Sequence, residues 1–108
     1  LPEEVRRRLV NIAGNRLTDD GTLIIKAKIF PGSYKPILIA SQVTGNGKDN
    51  RWHASKVEKQ IESLNQWNEL YYIRNFRQMK RGEKIKIYLW NTGRSNFRIT
   101  DISIDYFE

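Results

Sequence analysis

The side chains of this 108-residue chain that could do chemistry are aromatic and basic rather than nucleophilic. The sequence has one histidine, His53, and no cysteine, which excludes a cysteine nucleophile, cysteine-ligated zinc and a multi-histidine metal site. Nucleophilic catalysis needs a base and an orienting group, and we expect His53 to be a surface or rim residue without that role. Asp101 and Asp105 are about 13 Å apart on an extended strand, too far for a glycosidase pair. The sequence therefore predicts no enzymatic activity, no metal and no cofactor.

The candidate ligand-binding residues are Trp52, Tyr88 and Trp90, because flat rings stack on sugars or on nucleobases. A net charge of +7 accompanies them and favours a nucleic-acid ligand. Basic residues that alternate with apolar ones, as Lys84 and Lys86 do, are however also typical of an ordinary solvated strand face. Aromatic residues on strands are more often part of the core, and for Trp90 we expect burial beneath a helix or a second subunit.

Two helices are predicted beside the strands. A proline and two acidic residues suit a first helical turn, and apolar residues at helical spacing continue until Gly14, which predicts a helix over residues 2–13. Ser55 and Glu58 match a capping box, in which each side chain satisfies a free backbone N–H of the first turn. This motif predicts a short helix over residues 56–64.

Alternating β-formers predict five strands, at residues 22–30, 37–43, 67–76, 84–91 and 97–107. Turn residues separate them at 19–21, 31–33, 80–82 and 92–93, and residues 44–50 form the longest polar loop. The last three strands follow one another closely. We therefore expect the end of the chain to form a β-meander.

The last predicted strand contains a change of phase. Phe97 and Ile99 occupy odd positions, whereas the apolar residues from Ile102 onward occupy even ones. Because side chains alternate between the two faces of a strand, a single core face requires one extra residue. The sequence predicts a β-bulge near Thr100 and Asp101.

These elements predict a single mainly β (α+β) domain over residues 1–108. Its fold is expected to be an antiparallel sheet or partial jelly-roll sandwich of five to six strands, with the N-terminal helix packed on it. Residues 1–33 supply the helix and hairpin, and residues 34–108 the meander. Apolar runs fall far short of the roughly 20 residues that span a bilayer, so we expect no membrane partner. Exposed strand edges pair with other chains, which predicts a homo-oligomer.

Residues 1–27 carry the segments RLTDDG and LIIKA after the predicted helix. In this they closely resemble a segment of the peptidyl-tRNA hydrolase domain of peptide release factors, especially the short ribosome-rescue kind. The chemistry of that family depends on a Gly-Gly-Gln motif upstream of this segment, and the chain contains no such motif. The resemblance therefore supplies no catalytic residue and implies no peptidyl-tRNA hydrolysis.

Residues 35–108 carry NQWNE at the start of a strand, IKIYLWN along another and a closing FRITDISI. These motifs resemble the C-terminal half of a galactose-binding-like jelly-roll β-sandwich. The resemblance implies binding or scaffolding rather than catalysis, with structural roles for Trp67 and for Trp90 and Asn91. Two resemblances that meet inside one fold indicate either a recombined or artificial chain or a coincidence in the shorter match, and we favour the former.

Three functions follow from these observations. The leading one is a non-catalytic β-sandwich-like binding or structural domain, with carbohydrate as the ligand class. The first alternative is a basic domain that binds RNA or the ribosome, suggested by the net charge of +7 and the release-factor-like segment. The second alternative is an engineered or recombined fold without a natural ligand, because function depends on sites rather than on folds.

Overall fold

Six strands form the fold in the computed structural model of the chain, which describes residue 7 and residues 21–44, 51–76 and 82–107. A single 3-10 helix at Val57–Gln60 accompanies them in these ranges. The strands are β1 (Thr22–Pro31), β2 (Leu38–Thr44), β3 (Arg51–Lys56), β4 (Asn68–Asn75), β5 (Lys84–Trp90) and β6 (Phe97–Phe107). The mainly β prediction is thereby confirmed.

The strands form two three-stranded antiparallel sheets. Sheet A has the order β4-β1-β6, and sheet B has the order β3-β2-β5. The predicted β-meander is wrong, because β4 and β6 are in sheet A while β5 between them is in sheet B. β1 places Leu23, Ile25 and Ile29 on one face of sheet A, and β5 places Ile85, Ile87 and Leu89 on one face of sheet B. Stacking these two apolar faces removes both from water.

The core lies between the two sheets. From sheet A, Leu23, Ile25 and Ile29 of β1 meet Ile39 and Val43 of β2 in sheet B, and each is at most 3% exposed. Ile85, Ile87 and Leu89 of β5 are partly buried against this cluster. Among the described residues, two facing sheets form the arrangement that the sandwich alternative of the predicted fold requires.

The predicted bulge is confirmed. The pairing of β1 with β6 changes register between Lys26, which is opposite Ser103, and Lys28, which is opposite Thr100. Two residues of β6, Asp101 and Ile102, therefore lie opposite one residue of β1, Ala27. Asp101 adopts the left-handed backbone region at φ 54°, the conformation found at the first residue of a G1-type bulge.

The predicted helix over residues 56–64 is reduced to the 3-10 helix Val57–Gln60, and its capping box does not form. Ser55 pairs with Ile39 as part of β3, a strand that the sequence did not predict, and the carboxylate of Glu58 accepts a hydrogen bond from the backbone N–H of Ile37 at 3.1 Å. Ser55 thus pairs with β2, and Glu58 bonds the residue that precedes β2, instead of capping a helix. The predicted helix at residues 2–13 and its neighbouring turn lie outside the described residues, apart from Arg7, which is helical.

Asparagine side chains hold the loops that precede β4 and follow β5. Asn68 accepts hydrogen bonds from the backbone N–H groups of Glu62 and Ser63, at 2.9 and 3.1 Å, and donates to the carbonyls of Ser63 and Gln66. Asn91 exchanges two hydrogen bonds of 2.8 Å with the backbone of Ser95. Both residues belong to the motifs NQWNE and IKIYLWN, and both act on loop conformation.

Among the described residues, no helix is long and apolar enough to cross a membrane.

Candidate functional site

The structure brings the three predicted ligand-binding residues onto one surface, the face of sheet B that is turned away from the core. We call this surface the aromatic face. It consists of the alternate residues of three neighbouring strands: Trp52, Ala54 and Lys56 of β3; Leu38, Ala40, Gln42 and Thr44 of β2; and Lys84, Lys86, Tyr88 and Trp90 of β5.

The register of the three strands arranges these side chains in rows. Tyr88 forms the middle row with Ala40 and Ala54. The row on one side is Lys56, Leu38 and Trp90, and the row on the other is Trp52, Gln42 and Lys86. Each outer row therefore has a tryptophan at one end and a lysine at the other, in opposite order.

The two tryptophans are diagonally opposite. Their rows are four residues apart along β2, and β3 and β5 are two strand spacings apart, which gives a Cα separation of about 16 Å. Trp52 is 46% exposed and Trp90 is 52% exposed. Ala40, at the centre of the middle row, is fully buried, so the surface between the two indole rings has no opening at that point.

Polar contacts hold the middle of the aromatic face. The indole N–H of Trp52 donates a hydrogen bond to the hydroxyl of Tyr88 at 2.5 Å, across the width of the sheet. The ammonium of Lys86 lies 5.6 Å from the centre of the Tyr88 ring, a cation–π distance. These contacts orient two rings and one cation before any ligand arrives.

The alternation of β5 explains why these residues share a surface. Ile85, Ile87 and Leu89 point into the core, so Tyr88 and Trp90 must point outward. The expectation that another part of this chain buries Trp90 is wrong, since half of its side chain is exposed.

The remaining tryptophan, Trp67, lies elsewhere. It precedes β4 of sheet A and packs edge-on against Phe30, with ring centres 5.4 Å apart. It is 50% exposed, almost the same as Trp90. Trp67 is therefore a matched comparison for the exposed tryptophans of the aromatic face.

A polar cluster that the sequence did not predict lies between the sheets, near β3 and β4. The Tyr72 hydroxyl is 2.7 Å from Ser41 Oγ and 2.9 Å from His53 Nδ1, and it donates to the His53 carbonyl at 3.1 Å. Arg74 donates to both Ser41 Oγ and the Ser41 carbonyl at 2.9 Å. The Tyr72 hydroxyl can make all three of its hydrogen bonds when the Ser41 hydroxyl and the Nδ1–H of His53 both donate to it.

Burial changes the acid–base properties of this cluster. It raises the pKa of Tyr72, although the hydrogen bond from Ser41 and the charge of Arg74 oppose the shift. Burial also lowers the pKa of Arg74. Ser41 is fully buried and Tyr72 is 1% exposed, so a substrate has no access to either hydroxyl. The cluster joins the two sheets, and His53, which is half-buried, is part of it.

An apolar cleft opens between the sheets on the opposite side, where β5 and β6 are both edge strands. Its volume is about 210 Å³, and its walls include Ile87, Leu89, Ile102 and Ile104. Ile102 and Ile104 are 58% and 54% exposed, although they share the core face of sheet A with Ile25. The second sheet does not extend far enough to cover them.

Among the residues that the structure describes, no group of three metal-ligating side chains is close enough to hold an ion. A scan against protein families found no match for the chain, and searches of curated proteins and of solved structures also found none. The resemblances to release factors and to galactose-binding-like sandwiches therefore stay predictions.

Proposed function

We propose that this chain is a non-catalytic β-sandwich domain that binds carbohydrate on its aromatic face. The observation that carries the proposal is that Trp52, Tyr88 and Trp90 share one solvent-facing surface. Sugar rings have apolar C–H faces that pack on exposed aromatic rings. The surface needs no catalytic group for this function.

The shape of the aromatic face supports a chain-like ligand. The tryptophans are separated by about 16 Å, which exceeds the width of one sugar ring. The surface between them has no opening at Ala40, which is fully buried. An extended oligosaccharide lying from one tryptophan to the other, over Tyr88, would contact all three rings at once.

Binding to immobilised polysaccharides, compared among single tryptophan variants, tests the proposal. A glycan array and affinity electrophoresis with soluble polysaccharides would be run on the parent, Trp52→Ala, Trp90→Ala and Trp67→Ala. We expect the first two variants to lose about tenfold or more in affinity, because each removes an exposed stacking partner. Trp67→Ala is the control and should bind like the parent.

Two results would overturn the proposal. One is a parent protein that binds no polysaccharide in either assay, which would favour a recombined fold without a ligand. The other is equal loss of binding in Trp67→Ala and Trp90→Ala, since binding would then not depend on the aromatic face.

We also propose that copies of the chain associate through the edge of β6. Ile102 and Ile104 are more than half exposed beside the apolar cleft, and among the described strands β6 has β1 as its only neighbour. Edge strands with exposed apolar residues pair with other chains. A second copy would extend sheet A and cover these residues.

The sequence of β6 is complementary to itself in one antiparallel register. Setting Arg98 opposite Asp105 of a second copy also sets Ile99 opposite Ile104. Both isoleucines lie on the core face, because the bulge between them changes the phase of the strand. Opposite charges and apolar pairs facing each other across strands stabilise a sheet.

Sedimentation velocity at low micromolar concentration tests this association. The parent should sediment as a dimer, and the double variant Ile102→Lys/Ile104→Lys as a monomer. Ile102→Val/Ile104→Val keeps the edge apolar and should remain dimeric. A parent that is monomeric throughout would refute the association and leave carbohydrate binding unaffected.

A further inference from the structure

The charge of the aromatic face identifies the class of glycan. Of its eleven residues, three are lysines, Lys56, Lys84 and Lys86, and none is acidic. All three lysines are exposed. We propose, building on the proposed function, that the ligand is an anionic polysaccharide whose sugar rings stack on the tryptophans while its carboxylate or sulfate groups contact lysines.

The positions of the lysines support this more than their number does. Lys56 is in the same cross-strand row as Trp90, and Lys86 is in the same row as Trp52. Each of the two tryptophans thus has one cation in its row, at the other edge of the sheet. In each outer row, a sugar ring of a regularly charged polymer can stack on the tryptophan while a charged group of the polymer contacts the lysine.

The outer face of sheet A provides the contrast. It carries Lys26 and Lys28, but Asp101 lies 3.6 Å from the Lys28 ammonium, and Glu69 is directly across from Lys28 on β4. Acidic side chains therefore compensate Lys28 on that face. The aromatic face of sheet B differs, because its described positions include three lysines and no acidic residue.

An anionic glycan fits this surface better than single-stranded nucleic acid does. Nucleic-acid surfaces favour arginine, whose planar fork binds phosphate and stacks on bases, and the aromatic face has lysines only. Stacking of successive bases also requires rings at short, regular intervals. Here the two indoles are at opposite corners of the face, and the Trp52 N–H is already bonded to Tyr88.

Affinity electrophoresis with a matched set of polymers tests the inference. The probes are polygalacturonate and heparin as anionic glycans, hydroxyethylcellulose as a neutral glycan and poly(U) as a nucleic acid. We expect the anionic glycans to bind at least tenfold more tightly than the neutral one at low salt, with affinity falling as salt rises. Lys56→Gln/Lys86→Gln should reduce that affinity by roughly tenfold.

Lys26→Gln/Lys28→Gln is the control, because it removes the same charge from the opposite side of the sandwich and should bind like the parent. Equal binding of neutral and anionic glycans, unaffected by Lys56→Gln/Lys86→Gln, would overturn the anionic class and leave carbohydrate binding standing. Tighter binding of poly(U) than of either anionic glycan would overturn it in favour of nucleic acid. Absence of binding to all four polymers would overturn both proposals.

Discussion

Tyr72 of sheet A and Ser41 of sheet B place their hydroxyl oxygens 2.7 Å apart in the interior of the sandwich. Ser41 is fully buried, and Arg74 bonds the same Ser41 hydroxyl at 2.9 Å. Apolar packing between two sheets tolerates small lateral shifts, whereas a set of directional hydrogen bonds does not. This contact therefore fixes how one sheet sits on the other.

Replacing Tyr72 by Phe should destabilise the fold by about 1–3 kcal/mol, since Ser41 and His53 each lose a buried partner. Urea unfolding of the parent and of Tyr72→Phe measures the difference. Tyr34→Phe is the control, because Tyr34 is 52% exposed, and it should unfold like the parent. Equal stability of all three proteins would show that the cluster does not contribute to the packing of the sheets.

Alkaline pH should weaken the fold through the same tyrosine. The pKa of Tyr72 is raised above its ordinary value of 10.0, chiefly because burial disfavours the tyrosinate. The unfolded chain therefore releases this proton at a lower pH than the folded one does. The resulting stability is fully present below pH 10.0 and is lost as the pH rises through the folded pKa. Urea midpoints measured from pH 8 upward should show the gap between the parent and Tyr72→Phe narrowing above about pH 10; a constant gap would contradict the shift.

Trp90→Ala should lower the stability by only about 1 kcal/mol, because half of the side chain is already in water. Leu70→Ala is the comparison, since Leu70 is 1% exposed and should cost about 2–5 kcal/mol. Thermal or urea unfolding of both variants measures the contrast. A Trp90→Ala variant as unstable as Leu70→Ala would mean that a second subunit buries Trp90.

The backbone of Asp101 predicts an ordered series of substitutions. Its φ of 54° is accessible to Gly and Asn but is costly for a β-branched residue. Asp101→Gly and Asp101→Asn should stay within about 1 kcal/mol of the parent, whereas Asp101→Val should lose about 1–2 kcal/mol more than Asp101→Gly. Denaturant unfolding ranks the variants, and a Val variant as stable as the Gly variant would contradict the left-handed bulge.

Alternation of apolar and polar residues predicted most of this fold. It located five of the six strands in the described part of the chain. It also located the bulge near Asp101, because a bulge changes which residues face the core and this change is visible in the local sequence. β3 was missed because its pattern begins and ends with charged residues. The partition of strands between two sheets is a long-range choice, and proximity in sequence suggested a meander that is absent.

The candidate site was predictable in its residue types but not in its exposure. Period-two alternation correctly placed Trp90 and Tyr88 on the same side of β5. Whether that side is covered depends on the whole fold, so the burial of Trp90 could not be derived locally. Tyr72 and Arg74 gave no sequence signal, since their partners Ser41 and His53 come from the other sheet.

The strand order has a consequence for synthesis of the chain. β1 and β2, the central strands of the two sheets, do not pair with each other, and each waits for neighbours that are translated later. Thr22 at the start of β1 pairs with Phe107 at the end of β6. During translation, both edges of β1 and β2 leave the ribosome unpaired, and contacts this distant in sequence form slowly. We therefore expect chaperones that bind extended apolar segments to act mainly in the interval between synthesis of β2 and synthesis of β6.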